Sequence, residues 1–460
     1  MSVKHLPTSL LAWQEIFHGA RCSAVDVTAS YLRRIEELNT SLNAYLTVCA
    51  DRARQAASSI DFMREHHPAG LGPLAGAPVS IKDLIDTNFA PTTYGSRVYL
   101  DKRPSENAVV VERLERAHAI ILGKTHLHEF AYGITNESEH FGPARNPVDV
   151  SRMTGGSSGG SAASVRSNMA LASVGTDTGG SIRIPASLTG IVGFKPSHGL
   201  VPTAGVYPLA PSLDHVGPLT LTVTDAALLV DIMADLHGNQ SLVERINRWP
   251  VPSSPIRVGV PKQLIERFAT TEVANAFQTV LSALERANYV QVVKSIDFDE
   301  DDVATHQFAI MSGEAAAVHA NQLKSMFDLY SVDVRERLQH AQQGTTTQAY
   351  MRGIAFQKVF RSLVDDWLRD ADVLMLPTTP VAAPLLGTVT ITVSQGDEHD
   401  LRSLMTRFTN PWNLSGVPAI SLPAGAIDGL PFGLQLVGRY GHDAELLWRA
   451  KHVETLLASM

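Results

Sequence analysis

Two serine clusters, each preceded by paired glycines, are the residues of this sequence whose types and spacing most directly suggest chemistry. The first cluster contains Ser157 and Ser158, and the second ends in Ser181. Paired glycines let the backbone turn sharply and approach a ligand closely, because no Cβ is in the way. Consecutive backbone amides in such a turn can converge on an anion or an oxyanion. We therefore expect residues 153–194 to form the base of a catalytic site.

A lysine lies inside an apolar segment upstream of these serines. Residues 78–86 have the composition of a buried strand, and Lys82 is in the middle of it. A charged ammonium on an apolar strand costs free energy unless it is partnered or neutral. Taken alone, the segment is equally compatible with an edge strand whose lysine reaches solvent.

The lysine and the serines together suggest a proton relay. A hydroxyl nucleophile needs a base with a pKa near the working pH, and desolvation can lower the pKa of a lysine into that range. No histidine stands out as a base, so Lys82 is the candidate. Because its stem is long, an intermediate hydroxyl would help, which gives the order Lys82, Ser157 and Ser181. The alternative is a serine-rich turn with a structural use only.

Residues around the second cluster are predicted to support this relay. Backbone amides at the start of a helix would bind the oxyanion, since the helix dipole favours negative charge there. These amides belong to Thr178, Gly179, Gly180 and Ser181. Ser158 and Thr176 are expected to hydrogen-bond within the relay, whereas Asp177 and Arg183 are expected to brace the loop as an ion pair.

Several familiar catalytic and ligand-binding motifs are matched only in part, because the residues that must surround them are missing. Residues 156–160 fit G-x-S-x-G, but a nucleophile elbow needs an apolar strand before it and a histidine after it. The segment His126-x-His128-Glu129 is not a zinc motif, because Tyr132 stands where the second histidine is required. No phosphate-binding Gly-Lys-Ser/Thr follows the glycines, and Asp177-Thr-Gly has no second copy. We expect no metal and no cofactor.

Composition sets the class of protein. The 460 residues are 44% hydrophobic and 18% charged, which is typical of a globular chain with a large core. A net charge of −8 argues against nucleic-acid and membrane-surface partners. Cys22 and Cys49 are too few for a disulfide framework. No apolar run is long enough for a bilayer, and no signal pattern follows Lys4 and His5, so a cytoplasmic protein is expected.

The elements that must position these residues alternate along the chain. Helices and strands separated by short links predict one large α/β domain, with a mixed, mostly parallel central sheet covered by helices on both faces. The predicted strands are residues 78–86, 119–123, 170–175, 190–195, 373–377, 418–422 and 433–437. The predicted helices include residues 8–19, 23–38, 51–65, 107–117, 224–236, 301–330 and 345–369. Within residues 1–460 we expect N-terminal helices (1–70), a core (71–238), a helix-rich insertion or cap (239–371) and C-terminal strands with a helix (372–460).

These motifs resemble those of the amidase signature family of serine hydrolases. The resemblance rests on Gly-Gly-Ser-Ser-Gly-Gly-Ser at 155–161 and Gly-Thr-Asp-Thr-Gly-Gly-Ser-Ile-Arg-Ile-Pro at 175–185, and it extends over nearly the whole chain. It implies that Lys82 is the base, that Ser157 follows a cis peptide and bridges, and that Ser181 is the nucleophile. Ser181 would attack a carbonyl and form an acyl-enzyme, releasing ammonia or an amine before water completes the hydrolysis.

The resemblance also suggests pocket residues. Tyr132, Gly133 and Ile134 match a segment that lines the acyl side of the pocket in the family. Tyr94, Met153 and Ile184 are expected as further walls from their positions in the motifs. The methionine and the isoleucine favour a partly apolar small-molecule substrate.

The substrate stays open at this point. In the glutamine-hydrolysing component of the tRNA-dependent amidotransferase (its A-type chain), a glutamine usually stands where this chain has Ile184, so a free-standing amidase is favoured. Residues 207–218 are similar to hydrolases of carboxybiuret-like and allophanate-like compounds. Small or aryl amides and carbamates (urethanes) would undergo the same chemistry. A homodimer and a chain that depends on another protein are both open.

Overall fold

The computed structural model describes residues 7–459, so Lys4 and His5 lie outside the described residues. Within this range the chain forms seventeen α-helices and fifteen strands. The strands are β1 Tyr45–Val48, β2 Pro78–Lys82, β3 Ile120–Thr125, β4 Glu137–Ser138, β5 Gly142–Pro143, β6 Ala172–Asp177, β7 Val192–Lys195, β8 His215–Thr220, β9 Ile256–Val260, β10 Val290–Ser295, β11 Val373–Pro377, β12 Thr390–Thr392, β13 Glu398–Asp400, β14 Ala419–Ile427 and β15 Leu430–Val437. The helices are α1 Leu10–His18, α2 Ala24–Leu42, α3 Ala50–His66, α4 Val109–Arg116, α5 Gly159–Arg166, α6 Arg183–Thr189, α7 Val223–Ala234, α8 Leu242–Arg248, α9 Lys262–Phe268, α10 Thr271–Arg286, α11 Glu300–Val318, α12 Ala320–Ser325, α13 Val332–Gly344, α14 Thr347–Asp370, α15 Leu401–Met405, α16 Asn410–Leu414 and α17 Asp443–Leu457.

Eleven strands form one central sheet in the order β1-β3-β2-β6-β8-β7-β14-β15-β11-β9-β10. Strand β2 pairs in parallel with β3 and β6, and β9 pairs in parallel with β10 and β11. The other pairs in this sheet are antiparallel. The predicted α/β domain with a mixed sheet covered by helices on both faces is confirmed.

The sheet contains fewer parallel strand pairs than the mostly parallel sheet that the sequence predicted. Strand β8 and the hairpin of β14 and β15 account for part of the difference. Strand β8 was not predicted, because Gly217 and Pro218 are unusual inside a strand, and it lies antiparallel between β6 and β7. Strands β14 and β15 are joined by a tight hairpin at Asp428 and Gly429, both with positive φ.

Strand β2 carries Lys82 into the interior. All five of its residues are buried, and strands lie on both sides of it. This excludes the alternative of an edge lysine that reaches solvent. Because β2 and β6 are parallel neighbours, their carboxyl ends, Lys82 and Asp177, lie at the same edge of the sheet.

Helices pack on the sheet in two groups. Helices α5 and α6 contact each other and the strands β6, β7 and β14, whereas α7 and α17 contact each other and the strands β8 and β14. The predicted start of α2 is confirmed, since Ser23 Oγ accepts a hydrogen bond from Asp26 N at 2.9 Å. Between residues 7 and 459 no helix combines the length and the apolarity that crossing a membrane would require.

The segment 239–371 is not wholly an insertion. Its strands β9 and β10 belong to the central sheet and pair next to β11. Its helix α11 contacts both α13 and α14, and α11 and α13 contribute residues to the cavity described below. The cap at residues 239–371 therefore stays a prediction, and the two helices of this segment that line the cavity lie within residues 300–344. The single predicted helix at 301–330 is interrupted at His319, whose ring bonds the Tyr330 hydroxyl at 3.0 Å.

Candidate active site

Lys82 lies at the end of β2 with its amine fully buried. Its Nζ lies 2.7 Å from Ser157 Oγ and 2.7 Å from Thr176 Oγ1. Burial lowers the pKa of Lys82 from its ordinary value of 10.5 to about 7, although the Asp177 and Asp214 carboxylates act in the opposite direction. The lysine can therefore exchange a proton with a hydroxyl near neutral pH.

Ser157 is held at the entrance to α5 by the backbone around it. The Gly156–Ser157 peptide is cis, as the family resemblance implied. The Ser157 carbonyl accepts a hydrogen bond from His128 N at 3.1 Å, and Ser157 is fully buried. The Ser157 hydroxyl therefore meets Lys82 in the interior, away from solvent.

Ser158 and Thr176 form the bonds that were expected within the relay. Ser158 Oγ donates to the Thr176 carbonyl at 3.1 Å and accepts from Thr176 N at 3.3 Å. The Ser158 amide donates to the Ser181 carbonyl at 3.2 Å. The two serine clusters are thus bonded to each other, and Thr176 links Ser158 of the first cluster to Lys82.

Asp177 and Arg183 fix the turn that carries Ser181. The pair is fully buried, with Arg183 Nη2 at 2.9 Å from Asp177 Oδ1 and Arg183 Nε at 3.0 Å from Asp177 Oδ2. Burial alone raises the pKa of Asp177, but the Arg183 guanidinium holds it well below its usual range. Asn413 Nδ2 donates to Asp177 Oδ1 at 2.8 Å. The expected brace by charge pairing is therefore present.

One of the four backbone amides predicted to bind the oxyanion already has a hydrogen-bond partner. The Gly180 amide donates to Asp177 Oδ1 at 2.8 Å, so it is already engaged. Within residues 7–459 no protein acceptor is bonded to the amides of Thr178, Gly179 and Ser181. The turn requires glycine at position 180 for two reasons. Its φ is +127°, a conformation that other residues rarely adopt, and a Cβ here would clash with the Thr409 hydroxyl. This leaves three amides, and not four, for an oxyanion.

A cavity of about 480 Å³ opens at Ser181. Tyr132, Gly133 and Ile134, three of the residues expected at the substrate pocket, line this cavity. Its other apolar walls come from Ala131, Leu209, Ala304, Phe308 and Met311. Its polar walls come from Gln307, Arg337, His340, Asp400, Arg402, Ser403, Thr406, Arg407 and Asn410. This volume is within the range of small-molecule sites.

Tyr94 was predicted as a pocket wall, and that prediction is wrong. Its ring is 1% exposed, packs against Tyr99, Phe130 and Tyr207, and does not line this cavity. Its hydroxyl donates to Asp86 Oδ1 at 2.7 Å and accepts from Lys102 Nζ. These bonds hold the ring away from the cavity that contains Ser181.

Met153 and Ile184 are also not on the cavity. Both are fully buried in the core. Ile184 packs against the backbone of both glycine turns. Its methyl groups lie within 3.0 Å of the points that a Cβ would occupy at Gly155 and Gly180. An isoleucine at this position therefore says little about the cavity wall. The presence of Ile184 is no longer a reason to disfavour glutamine as the substrate.

The residues that sequence reasoning missed lie on α11, on α13 and beyond these helices. Gln307 on α11 donates through Nε2 to the Thr178 carbonyl at 3.3 Å and to Asn410 Oδ1 at 2.8 Å. Its buried Oε1 has no hydrogen-bond partner within the described residues, and Gln307 lies in the wall of the cavity. No local motif marks Gln307 or the cavity arginines, because they come from separate helices that meet only in the folded chain.

Six of residues 207–218, the segment that resembled other hydrolases, line a second cavity of about 230 Å³. Thr178 borders both cavities, and Asp214 borders the second one. The Thr178 hydroxyl donates to Asp214 Oδ1 at 2.6 Å. Burial raises the pKa of Asp214, while this hydroxyl and the amides of Leu209 and Ala210 act against the shift. The segment therefore holds the turn at residues 178–181 through its bond to the Thr178 side chain.

In the part of the chain that the structure describes, the side chains that could ligate a metal lie apart from one another. Among residues 7–459 no group of three or more His, Cys, Asp or Glu is placed to hold a metal ion. His126 bonds the carbonyls of Leu127 and Gly142, and His128 Nε2 contacts Asp333 Oδ2 at 3.3 Å. The two histidines of the discarded zinc motif therefore have other partners.

Several known proteins are similar to this chain over almost its whole length. The chain is 34% identical to the A-type chain of a glutamyl-tRNA(Gln) amidotransferase of Thioalkalivibrio sulfidiphilus, over 95% of this chain and 94% of the relative. It is 35% identical to AtzE, a chain of the 1-carboxybiuret hydrolase of Pseudomonas sp. (strain ADP), over 92% and 93% of the two chains. A crystal structure described as an amidase superposes with a TM-score of 0.90 at 35% identity, covering 98% of this chain and all of the other.

The family model described as Amidase matches residues 26–447, a range that includes every element of the site. With that match and relatives similar over almost their whole length, this chain belongs to the amidase signature family and is an amide hydrolase by class.

Proposed function

We propose that this protein is a serine amidohydrolase that cleaves the C–N bond of an amide through an acyl-enzyme on Ser181. The observation that carries the proposal is the position of Lys82, fully buried with its Nζ at 2.7 Å from Ser157 Oγ. Burial brings the pKa of this lysine to about 7, so a large fraction is neutral at physiological pH. A neutral amine beside a hydroxyl is a general base.

Acylation follows from this arrangement. Ser181 Oγ attacks the substrate carbonyl carbon, its proton passes to Ser157 Oγ, and the Ser157 proton passes to Lys82 Nζ. The amides of Thr178, Gly179 and Ser181 stabilise the oxyanion, because backbone donors fixed in a buried turn need no reorganisation. The protonated Lys82 then returns the proton through Ser157 to the departing nitrogen. The C–N bond breaks, and the amine leaves in its neutral form.

Deacylation reverses the relay. Water attacks the acyl-enzyme carbonyl while its proton passes through Ser157 to Lys82. Collapse of the second tetrahedral intermediate releases the carboxylic acid and returns the proton to Ser181 Oγ. Lys82, Ser157 and Ser181 therefore end the cycle in the protonation states in which they began it.

The cavity favours a small or aryl amide. Ile134, Leu209, Phe308 and Met311 provide apolar contacts, and the volume of about 480 Å³ admits a ring with a short chain. A carbamate presents the same carbonyl to Ser181, so urethane cleavage belongs to the same proposal. Release of amine from anilides, primary amides and carbamates tests it. We expect Ser181→Ala to abolish turnover with an unchanged circular dichroism spectrum, while the buried control Ser164→Ala retains activity.

A second candidate is hydrolysis of glutamine or of a carboxybiuret-like compound. It is supported by relatives that bear those names at 34% and 35% identity. Glutamine hydrolysis only in the presence of a co-purifying protein would favour an amidotransferase-like component. Turnover of simple amides by the isolated chain would favour the free-standing amidase.

A further inference from the structure

Two side-chain amides lie next to each other in the wall of the cavity at Ser181. They belong to Gln307 on α11 and to Asn410, the first residue of α16. Gln307 Nε2 donates to the Thr178 carbonyl at 3.3 Å and to Asn410 Oδ1 at 2.8 Å. The amide pair is therefore bonded to the turn at residues 178–181, which carries the nucleophile.

The hydrogen-bond partners fix the direction in which each amide faces. A backbone carbonyl only accepts hydrogen bonds, so the nitrogen of Gln307 faces Thr178. The second hydrogen of that nitrogen goes to Asn410, which must therefore present its oxygen to Gln307. This leaves Asn410 Nδ2 as a donor that is accessible and, within residues 7–459, has no acceptor. Because Asn410 lines the cavity, its free donor is available to a ligand there.

The orientation of Gln307 has a cost. Gln307 is 1% exposed, and its Oε1 is buried without a hydrogen-bond partner among the described residues. A buried acceptor without a partner is unfavourable, and in native proteins it calls for a functional or structural reason. Here the unpaired oxygen is the consequence of directing both N–H groups of Gln307 to Thr178 and Asn410.

Asn410 lies directly against Gly179. Its Oδ1 is 2.7 Å and its Cγ 3.9 Å from the point that a Cβ would occupy at Gly179. The preceding residue, Thr409, is bonded on both sides, because its hydroxyl donates to the Gly179 carbonyl at 2.6 Å and its carbonyl accepts from Arg183 Nη1 at 3.2 Å. Asn410 is thus held beside a glycine whose own backbone amide has no protein acceptor within the described range.

We propose that Asn410 is a further catalytic residue, whose Nδ2 donates a hydrogen bond to the oxyanion, and that Gln307 is the positioning residue that orients it. This rests on the proposed function, because the oxyanion forms when Ser181 Oγ bonds to the substrate carbonyl carbon. In that step the electron pair of the C=O bond moves onto the oxygen, and the Ser181 proton passes to the relay. The oxygen gains a negative charge that a donor fixed in advance stabilises.

Asn410 supplies a donor that the backbone of the turn lacks. The Gly180 amide is bonded to Asp177, so three backbone amides remain for the oxyanion. A side-chain amide beside Gly179 restores a fourth donor. Asparagine suits this task because it is neutral at every working pH and its N–H groups cannot be lost to a base.

Two variants of Asn410 test the proposal. Asn410→Asp keeps the oxygen that faces Gln307 and replaces the donor by an acceptor of the same shape, whereas Asn410→Ala removes the whole amide. We expect kcat for a neutral anilide to fall by about 10²-fold or more in both, with little change in KM, the effect of losing one oxyanion donor. Circular dichroism spectra and urea midpoints check that each variant folds.

An aryl trifluoromethyl ketone provides a readout that a purely structural role would not move. Ser181 adds to this ketone reversibly and forms an anionic hemiketal, which resembles the tetrahedral intermediate. Its affinity should fall by the same factor as kcat in the Asn410 variants. Calorimetric binding of the anilide to Ser181→Ala should be the same with and without Asn410→Asp, because the donor acts on the oxyanion.

Gln307→Met tests the positioning role, since it removes the bond to Asn410 and keeps the length of the side chain. We expect kcat to fall about tenfold, the value of one hydrogen bond. The double variant Gln307→Met, Asn410→Ala should be no slower than Asn410→Ala, because Gln307 acts through Asn410. Asn247→Asp is the matched control. Asn247 is exposed, accepts from Lys451 Nζ at 2.8 Å and lies outside the cavity lining, so kcat and ketone affinity should not change.

The outcomes separate this inference from the proposed function. Wild-type kcat and ketone affinity in Asn410→Asp and Asn410→Ala would overturn the fourth donor and leave amide hydrolysis at Ser181 standing. A loss confined to KM, with an equal loss of anilide affinity in the Ser181→Ala background, would also overturn it, because Asn410 would then bind the substrate before reaction. If the wild type neither hydrolysed an anilide nor formed the hemiketal, the proposed function would be contradicted, and this inference with it.

Discussion

Lys82 experiences two opposing effects at the scale of the single residue. Complete burial disfavours its ammonium form, while the carboxylates of Asp177 and Asp214 favour it, and the pKa settles at about 7. At that value the amine can both accept a proton during attack and return it to the leaving group. Its two hydroxyl neighbours, Ser157 and Thr176, keep it hydrogen-bonded in either state.

This account predicts the pH dependence of hydrolysis. Because the neutral amine is the base, kcat/KM should rise with pH, about tenfold per unit below pH 7, and level off above it. Lys82→Met should lower kcat/KM by about two to four orders of magnitude. Steady-state kinetics from pH 5 to 9 on a neutral anilide provide the measurement. A near-normal rate in Lys82→Met would contradict the relay.

Burial of Lys82 also predicts how stability depends on pH. In the unfolded chain its pKa is near 10.4, whereas in the folded chain it is about 7. Between these values the unfolded chain binds more protons, so this lysine makes the folded state relatively more stable as pH rises. The free energy of unfolding of the wild type, relative to Lys82→Met, should therefore increase from pH 7 to pH 9. Urea titrations at both pH values would show a constant difference if the lysine were charged when folded.

Some side-chain positions in the site could be predicted from the sequence, and others could not. The predicted contacts among Lys82, Ser157 and Thr176 are present because each residue belongs to a dense local motif. Tyr94 and Ile184 were misplaced because a motif gives a position along the chain and not the direction of a side chain. Arg337 and Arg402 were missed because they are 65 residues apart in sequence and share a cavity only after folding.

At the scale of elements, the turn from β6 into α6 depends on one buried ion pair. Asp177, the last residue of β6, accepts from the amides of Gly180 and Ile182 and is bonded by Arg183 at the start of α6. Arg183 also donates to Gln435 on β15 at 2.8 Å, which anchors the turn to the far side of the sheet. The turn therefore keeps its shape without contacts from a substrate.

Breaking this pair should cost both stability and activity. Arg183→Met leaves the Asp177 carboxylate buried without its counter-charge, and we expect a loss of about 3–5 kcal/mol in the free energy of unfolding. We also expect kcat to fall, because Asp177 positions the loop of Ser181. Arg248→Met is the control, since Arg248 forms an exposed pair with Glu244 at 3.6 Å and should change stability by less than about 1 kcal/mol. Equal urea midpoints for the two variants would refute the role given to Arg183.

Element boundaries were predictable where the local pattern was strong. The N-cap of α2 at Ser23 and the strand β11 were obtained from the sequence, since a capping residue and an apolar run between breakers are local signals. Strand β8 was missed because it contains Gly217 and Pro218, and only pairing with β6 and β7 makes it a strand. Strands β9 and β10 could not be assigned to the central sheet, because strand order depends on long-range pairing.

At the scale of the whole molecule, the site lies between one large sheet and the helices α11 and α13. The sheet edge supplies Lys82, the two glycine turns supply the serines, and these helices supply Gln307 and Arg337. The fold class was predictable from the alternation of helices and strands and from the size of the chain. The cavity was not, because its outer wall is assembled from residues spread between 131 and 410.

Because all proposed catalytic groups belong to one chain, the purified protein should act alone. We expect prolonged treatment with a chelator, followed by gel filtration, to leave the anilide hydrolysis rate within experimental error of the untreated enzyme. Loss of activity that zinc or magnesium restores would show that the relay is incomplete as described. Activity that returns only with a second protein would favour the amidotransferase-like candidate.

The central claim is that Lys82 activates Ser181, and the most direct measurement is covalent labelling. The intact protein is treated with a fluorophosphonate, and the adduct is counted by mass spectrometry and located by peptide mapping. We predict one adduct, on Ser181, that forms quickly in the wild type, slowly in Ser157→Ala and not measurably in Lys82→Ala. An adduct on another residue, or equal labelling of Ser181 in Lys82→Ala, would contradict the account.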